Sequence, residues 1–280
     1  MSVQTQTKKL TTHDIRAMKG VTPIVSLTAN TAPIAKAIDK MVDFILVGDS
    51  LAMTVYGDQS TVGIDLDTMI RHGHAVARAC EHACVVVDMP FGFYQQSAQQ
   101  AFESASRILR ETGCDAVKME GGLEMADTIK FLTERGVPVM GHIGLTPQAI
   151  NTMGGFKVQG KQEGALDRLL QDAKAVDQAG CFAIVVEGVL ESVADEIQKI
   201  LTVPSIGIGA SINCDGQILV TEDVIGLFED FKPQFVKRYA QVMPIIREAV
   251  EEYVTEVRER KFPSAEYVFA SKEKTGKEKK

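Results

Sequence analysis

Four acidic residues, Asp49, Asp88, Glu120 and Glu187, each stand at or just past the end of a short apolar run. The runs are Phe44–Val47, 85–87, 116–119 and 183–186. Short runs rich in β-branched residues read as strands buried on both faces of a parallel sheet. The acid at each end then marks a rim. In a (β/α)8 barrel the carboxyl ends of all strands share one face, and active sites form there. Carboxylates crowded on one rim repel each other unless a cation lies among them. The pattern therefore predicts a divalent metal and chemistry that uses it.

Strand-like and helix-like segments alternate from about residue 21 to residue 220. Strand candidates lie at 23–27, 44–47, 85–87, 116–119, 137–140, 183–186 and 203–206, with 218–220 as the least patterned eighth. Between them the period changes to that of a helix. In 97–112, Ala98, Ala101, Phe102, Ala105, Ile108, Leu109 and Thr112 fall on one stripe. Gly113 then supplies a left-handed ending, as do Gly136 and Gly180 before the next runs. Such alternation gives a parallel sheet, and about eight repeats favour a closed (β/α)8 TIM barrel over an open sheet.

Two segments stand outside the repeat. Residues 11–19 read as a short helix capped by Thr12 that closes the bottom of the barrel. Residues 235–260 read as a long C-terminal helical extension, packed outside the barrel or on a partner subunit. The expected organisation is a single barrel domain over residues 1–270 and a disordered, lysine-rich tail over 271–280. A chain of 280 residues suits one barrel.

Composition excludes several functions. A net charge of -7 argues against non-specific nucleic-acid binding. No apolar stretch is long enough to span a bilayer, and the polar start does not read as a signal peptide. Cys80, Cys84, Cys114, Cys181 and Cys214 are odd in number and form no CxxC pair, which argues against disulfides or a structural zinc. The expectation is a cytoplasmic protein with reduced cysteines, bound to neither nucleic acid nor membrane.

Local residue choice sharpens the rim. In Val47-Gly48-Asp49-Ser50-Leu51 the glycine allows a sharp turn, and Asp49 offers a hard oxygen ligand beside the Ser50 hydroxyl. Val87-Asp88-Met89-Pro90 repeats the device one strand later. Mg2+ is usually held by one or two carboxylates plus water and substrate, which two aspartates on adjacent strands fit. Lys118 and Glu120 are two apart on one strand and face the same side. Lys118 therefore grips an anionic substrate or pairs structurally with Glu120. His142 follows the strand 137–141 at rim position. His72 and His74 point to different helix faces and make no metal pair. Gly207-x-Gly209 lacks the third glycine of a dinucleotide fingerprint and reads as a close backbone approach to a ligand.

An ordered set of segments resembles the ketopantoate hydroxymethyltransferase family. It includes Leu46-Val47-Gly48-Asp49-Ser50-Leu51, Asp88-Met89-Pro90-Phe91, Val117-Lys118-Met119-Glu120-Gly121-Gly122, Gly141-His142-Ile143-Gly144-Leu145-Thr146-Pro147-Gln148, Gly154-Gly155-Phe156-Lys157-Val158-Gln159-Gly160 and Cys214-Asp215-Gly216-Gln217-Ile218-Leu219-Val220. The resemblance runs from about Lys9 to Phe269. It implies that Asp49 and Asp88 bind Mg2+, and that Glu120 completes the metal site directly or through water. It implies that Ser50 and Lys118 hold the carboxylate of a small 2-oxo acid, that His142 lines the site, and that Glu187 is the general base. It also implies a metal-stabilised enolate, 5,10-methylenetetrahydrofolate as co-substrate, and a homo-oligomer, usually a decamer of stacked pentamers.

The chain departs from the family pattern in places. Thr28-Ala29-Asn30-Thr31 stands where Thr-Ala-Tyr-Asp is usual, which puts small polar groups at the expected active-site rim. Gly57-Asp58-Gln59-Ser60-Thr61 replaces Gly-His-Asp-Ser-Thr, Gly209-Ala210-Ser211 replaces Gly-Ala-Gly, and Glu266-Tyr267-Val268-Phe269 replaces Glu-His-Ser-Phe. These changes bear on substrate preference, folate contacts and rate. Two other readings compete. One is a Mg2+-dependent carbon–carbon lyase of the phosphoenolpyruvate/pyruvate barrel group, although its Lys-Lys-Cys-Gly-His loop is absent. The other is a non-catalytic oligomeric paralogue.

Overall fold

Each apolar run becomes a strand. In the computed structural model, which describes residues 8–229 and 232–269, eight parallel strands close into a barrel in sequence order. They are β1 Ile24–Thr28, β2 Phe44–Val47, β3 Cys84–Asp88, β4 Ala116–Glu120, β5 Val139–Gly144, β6 Ala183–Glu187, β7 Ser205–Ile208 and β8 Gly216–Leu219. Helices fill the connections except that between β7 and β8, where residues 209–215 carry none, and the whole is a (β/α)8 TIM barrel. β8 closes on β1, with Ile24 opposite Gly216. A Cβ at Gly216 would come within 2.6 Å of Ile24, so this seam requires glycine. Thr221 fastens its upper end. Its N–H donates to Thr28 Oγ1 at 3.0 Å and its hydroxyl donates to the Thr28 carbonyl.

The strand starts differ from the sequence expectation in a regular way. β1, β5 and β7 begin one residue after Pro23, Pro138 and Pro204, which the sequence reading placed inside the strands. Proline has no N–H to give to the ladder and so sits ahead of it. Asp43, Asp115 and Asp215 stand one residue ahead of β2, β4 and β8. Their carboxylates accept N–H bonds from the preceding strands, at Val25 (2.8 Å), Val85 (2.8 Å) and Ser205 (2.9 Å). Asp39, at the same end, accepts from the N–H groups of Glu81, His82 and Ala83.

Side chains alternate along each strand. Ile45, Val47, Val85, Val87, Val117 and Met119 join the core between barrel and helices. Phe44, Leu46, Cys84, Val86, Ala116, Met140 and Ala183 fill the lower interior. The next inward positions going up are Asp88, Lys118, Glu120, His142 and Glu187. The interior thus changes from apolar to ionic at the carboxyl ends. Its lower end is closed by the helix Thr12–Ala17, whose Ile15 is fully buried in the same interior cluster. The cap is Thr11, not Thr12, and it forms a capping box with Asp14. The helix Ala98–Thr112 starts at a Ser97 cap and ends at Gly113 in the left-handed conformation, φ 74°.

The C-terminal helix is shorter than expected, Val242–Arg258. The chain before it is not helical and is bonded back to the segment after β8. Tyr239 N–H donates to the Val224 carbonyl, and Val242 N–H to that of Ile225. None of the helix's residues is buried. All five cysteines are free and buried. Among the described residues no helix is long and apolar enough to cross a membrane. The expected tail, 271–280, lies outside the described residues.

Candidate active site

A cavity of about 750 Å³ opens at the carboxyl ends of the strands, and Asp49, Ser50, Asp88, Lys118, Glu120, His142 and Glu187 all line it. Strand register brings them together. Asp88 on β3 lies opposite Lys118 on β4, and Glu120 lies opposite His142 on β5. The structure places His142 inside β5, not after it, because the strand starts beyond Pro138 and runs on to Gly144. Asp49 sits two residues past β2, where the chain turns into the short helix Leu51–Thr54.

The contacts form one connected cluster. Asp49 N–H donates to Asp88 Oδ2 at 3.0 Å. Lys118 Nζ pairs with Asp88 Oδ1 at 2.8 Å. The sequence reading had offered Glu120 as the structural partner of Lys118. Glu120 Oε1 is instead 3.3 Å from His142 Nδ1. His142 Nε2 lies 3.1 Å from Glu187 Oε2, at ion-pair distance although not aligned for a hydrogen bond.

Charge is costly here because nearly everything is buried. Burial, with repulsion from Asp88 and Glu120, pushes the Asp49 carboxyl up to about 8. Burial raises Asp88 too, against the pull of Lys118. Glu120 is penalised most by burial, but the hydrogen bond and charge of His142, the Lys118 charge and the Gln148 N–H together outweigh this and hold it low. Burial and the Lys118 charge oppose protonation of His142. Glu120 and Glu187 overcome both and raise it to about 9. Burial likewise opposes charge on Lys118, and the surrounding carboxylates win, keeping it an ammonium.

Asp49 and Asp88 are the residues suited to hold a hard cation. Asp49 is bonded through Oδ2 only, to Gln148 Nε2 at 2.8 Å. Asp88 is neutralised by Lys118, a positive charge already drawn into the acidic cluster. Glu120 has no oxygen to spare, since Oε1 faces His142 and Oε2 accepts from Gln148 N–H at 3.0 Å. Among the described residues no three such side chains form a closed metal cage.

Two residues at the centre of the cluster went unread in the sequence. Gln148 was quoted only as part of a motif, and Tyr94, whose hydroxyl bonds Gln148, carries no signal of its own. Other expectations are corrected. Asn30 is not at an open rim. It is fully buried, and its carbonyl accepts from His72 Nδ1. Thr31, Asp58 and Gln59 are exposed, and none of these four lines the cavity. At Gly209, φ 58°, the space a Cβ would take is filled by the Phe235 ring, 2.7 Å away, and Gly209 itself lines the cavity.

Fold and site together define the TIM-barrel class of enzyme, with an ionic cavity at the carboxyl ends of the strands. The family described as ketopantoate hydroxymethyltransferase matches residues 9–265. The 3-methyl-2-oxobutanoate hydroxymethyltransferase of Sinorhizobium fredii is 57% identical over 272 residues, 97% of this chain and 100% of that protein. The enzyme of that name from Paramagnetospirillum magneticum is 54% identical over 269 residues, 96% and 98% of the two chains. The solved phosphonopyruvate hydrolase complex with oxalate and Mg2+ shares the fold, with a TM-score of 0.59, 14% identity and coverage of 94% and 93%. The chain belongs to the ketopantoate hydroxymethyltransferase family, and it is a hydroxymethyltransferase.

Proposed function

We propose that this enzyme transfers a hydroxymethyl group from 5,10-methylenetetrahydrofolate to 3-methyl-2-oxobutanoate, giving ketopantoate for pantothenate synthesis. The observation that carries the reading is the convergence of Asp49, Asp88, Lys118, Glu120, His142 and Glu187 in one cavity. The names of its relatives support the oxo acid, and the Mg2+ complex of the phosphonopyruvate hydrolase supports the metal.

Asp49 and Asp88 would hold Mg2+, with Glu120 acting through a water because its own oxygens are engaged. Bound there, Mg2+ would polarise the carbonyl of the oxo acid and so acidify its C3–H. Lys118 turns from Asp88 to the substrate carboxylate, with the Ser50 hydroxyl beside it. Glu187 takes the C3 proton, and the protonated His142 next to it keeps that carboxylate in place. Water replaces both C–N bonds of the one-carbon unit, its two hydrogens going to the two folate nitrogens, and frees that carbon as formaldehyde. The enolate carbon then adds to the formaldehyde carbonyl, whose oxygen takes up the proton that Glu187 removed. The cavity is far larger than a five-carbon oxo acid needs. Its apolar wall of Leu145, Pro147, Phe156, Val158, Phe228 and Phe235 leaves room for the flat folate ring.

The same reading makes residues 1–270 one catalytic unit of a cytoplasmic homo-oligomer, a decamer by family resemblance. In support, the C-terminal helix exposes Ile246, Val250, Tyr253 and Val257, a stripe of helical spacing for a second copy to cover.

Removal of the C3 proton needs no folate, which gives a clean test. The native enzyme should exchange the C3 hydrogen of 3-methyl-2-oxobutanoate with solvent deuterium when Mg2+ is present, and should form ketopantoate when methylenetetrahydrofolate is added. Glu187→Gln should bind substrate but lose most of the exchange. Exchange at the native rate in that variant would move the base elsewhere. No ketopantoate from the native enzyme would reject the reaction.

A further inference from the structure

Gln148 lies in the single turn Pro147–Ala149 after β5 and is 5% exposed. Its backbone N–H donates to Glu120 Oε2 at 3.0 Å. Its side-chain Nε2 donates to Asp49 Oδ2 at 2.8 Å and to the Met89 carbonyl at 2.9 Å. Its Oε1 accepts from the Tyr94 hydroxyl at 2.6 Å and from Gln95 Nε2 at 3.2 Å. Both amide hydrogens and both oxygen lone pairs are therefore used.

The direction of this amide is fixed by its neighbours. The Tyr94 hydroxyl accepts from Glu120 N–H at 3.1 Å, so its own proton is free for Gln148. Gln95 Oε1 accepts from Gly92 N–H, which turns Gln95 Nε2 toward Gln148 as a donor. Turning the Gln148 amide over would set its oxygen against a carboxylate and a carbonyl. It would also set its NH2 against a donor. One buried residue thus ties together carboxylates from two separate strand ends.

We infer that Gln148 is the positioning residue of the acidic cluster: it fixes Glu120 and Asp49 relative to each other and leaves Asp49 Oδ1 as the oxygen presented to a divalent cation. The inference rests on reading the cluster as a cation site. Without the Gln148 donor, Asp49 Oδ2 keeps no partner in a buried, like-charged surrounding, and the side chain loses its fixed direction.

Mn2+ binding by the metal-stripped enzyme, followed by electron paramagnetic resonance, tests this without any turnover. Gln148→Met keeps the length and removes both donors and acceptors. Its Mn2+ affinity should fall at least about tenfold, the usual effect of removing a partner that orients a ligand. Tyr94→Phe leaves Gln148 in place but removes one of its anchors, and should lose about threefold. Folding of both variants is checked by near-ultraviolet circular dichroism. A folded Gln148→Met that binds Mn2+ like the native enzyme overturns the inference while leaving the cation site intact. A native enzyme that binds no Mn2+ overturns the cation site itself, and this inference with it. If Gln148→Met does not fold, Tyr94→Phe decides, and native affinity there overturns the inference.

Discussion

The two ends of this barrel hold aspartates of similar burial and treat them in opposite ways. At the amino ends, Asp39 and Asp215 are 3% and 9% exposed and surrounded by N–H groups. Asp39 is penalised by burial, but the N–H groups of Ala83, Glu81 and His82 more than compensate and hold it below the usual range. Asp215 follows the same balance, with Ser205 and Lys19 as partners. At the carboxyl ends, Asp49 and Asp88 are 5% and 2% exposed, and burial leaves both raised. Strand polarity explains the contrast. A parallel strand leaves unpaired N–H groups at its start and unpaired C=O groups at its finish. A carboxylate at the lower end meets donors. Asp49 and Asp88 at the upper end meet fewer donors, and burial with the neighbouring carboxylates outweighs Gln148, the Asp49 N–H and Lys118. Support of the fold and the proposed active site thus lie at opposite ends of the same strands.

The strongest way to break this comparison is to exchange the acids for amides. Asp49→Asn and Asp88→Asn should each lower kcat/KM by about a thousandfold or more, since the proposed cation site goes with them. The metal-free melting temperature of Asp49→Asn should hold or rise. A clear fall would mean that Asp49 also supports the fold. At the other end, Asp39→Ala strands three N–H groups and should cost about 3 kcal/mol or more in denaturant unfolding. Activity per folded molecule should stay native, and a large loss would tie this end to catalysis.

The pH dependence of stability should show both ends at once. Asp39 and Asp215 have folded values below 3.8, so their contribution is complete above that pH and is lost as pH falls through the folded values. Asp49 is raised from 3.8 to about 8 and His142 from 6.5 to about 9. The native state therefore holds extra protons in those windows, and stability declines as pH rises through them. Unfolding in the presence of a chelator should show a maximum in the mildly acidic range, and Asp49→Asn should flatten its alkaline side. A flat profile from about pH 5 to pH 9 would contradict the assigned environments. The smallest effect belongs to Asp43→Asn. It weakens a single bond to Val25 N–H and should cost about 1 kcal/mol.

Much of the barrel is legible in the sequence because burial on both faces selects uninterrupted apolar runs. β2, β3, β4 and β6 stand out for that reason, and each run leads to its acid. β8 is hard to see, since Gln217 is exposed and Gly216 is set by its closeness to Ile24. The residues lining the cavity are legible as acids, Lys and His at run ends. Their wiring is not. The pairing of Lys118 with Asp88 over Glu120 depends on the register of β3 against β4. Gln148 gains its meaning only when the turn after β5 meets residues from four other parts of the chain. The C-terminal helix is shorter than its helical spacing predicts because residues 235–241 are bonded back to Val224 and Ile225 instead.

The seam between β1 and β8 has a consequence for how the chain is made. Thr28 and Thr221, which fasten it, are 193 residues apart. At ordinary synthesis speeds β1 leaves the ribosome about 10–40 s before its second neighbour exists. Through that interval one edge of β1 stays open to any other strand. The slow step in closing this barrel is therefore the wait for β8, and the longer translation from β1 to β8 takes, the longer that edge is exposed.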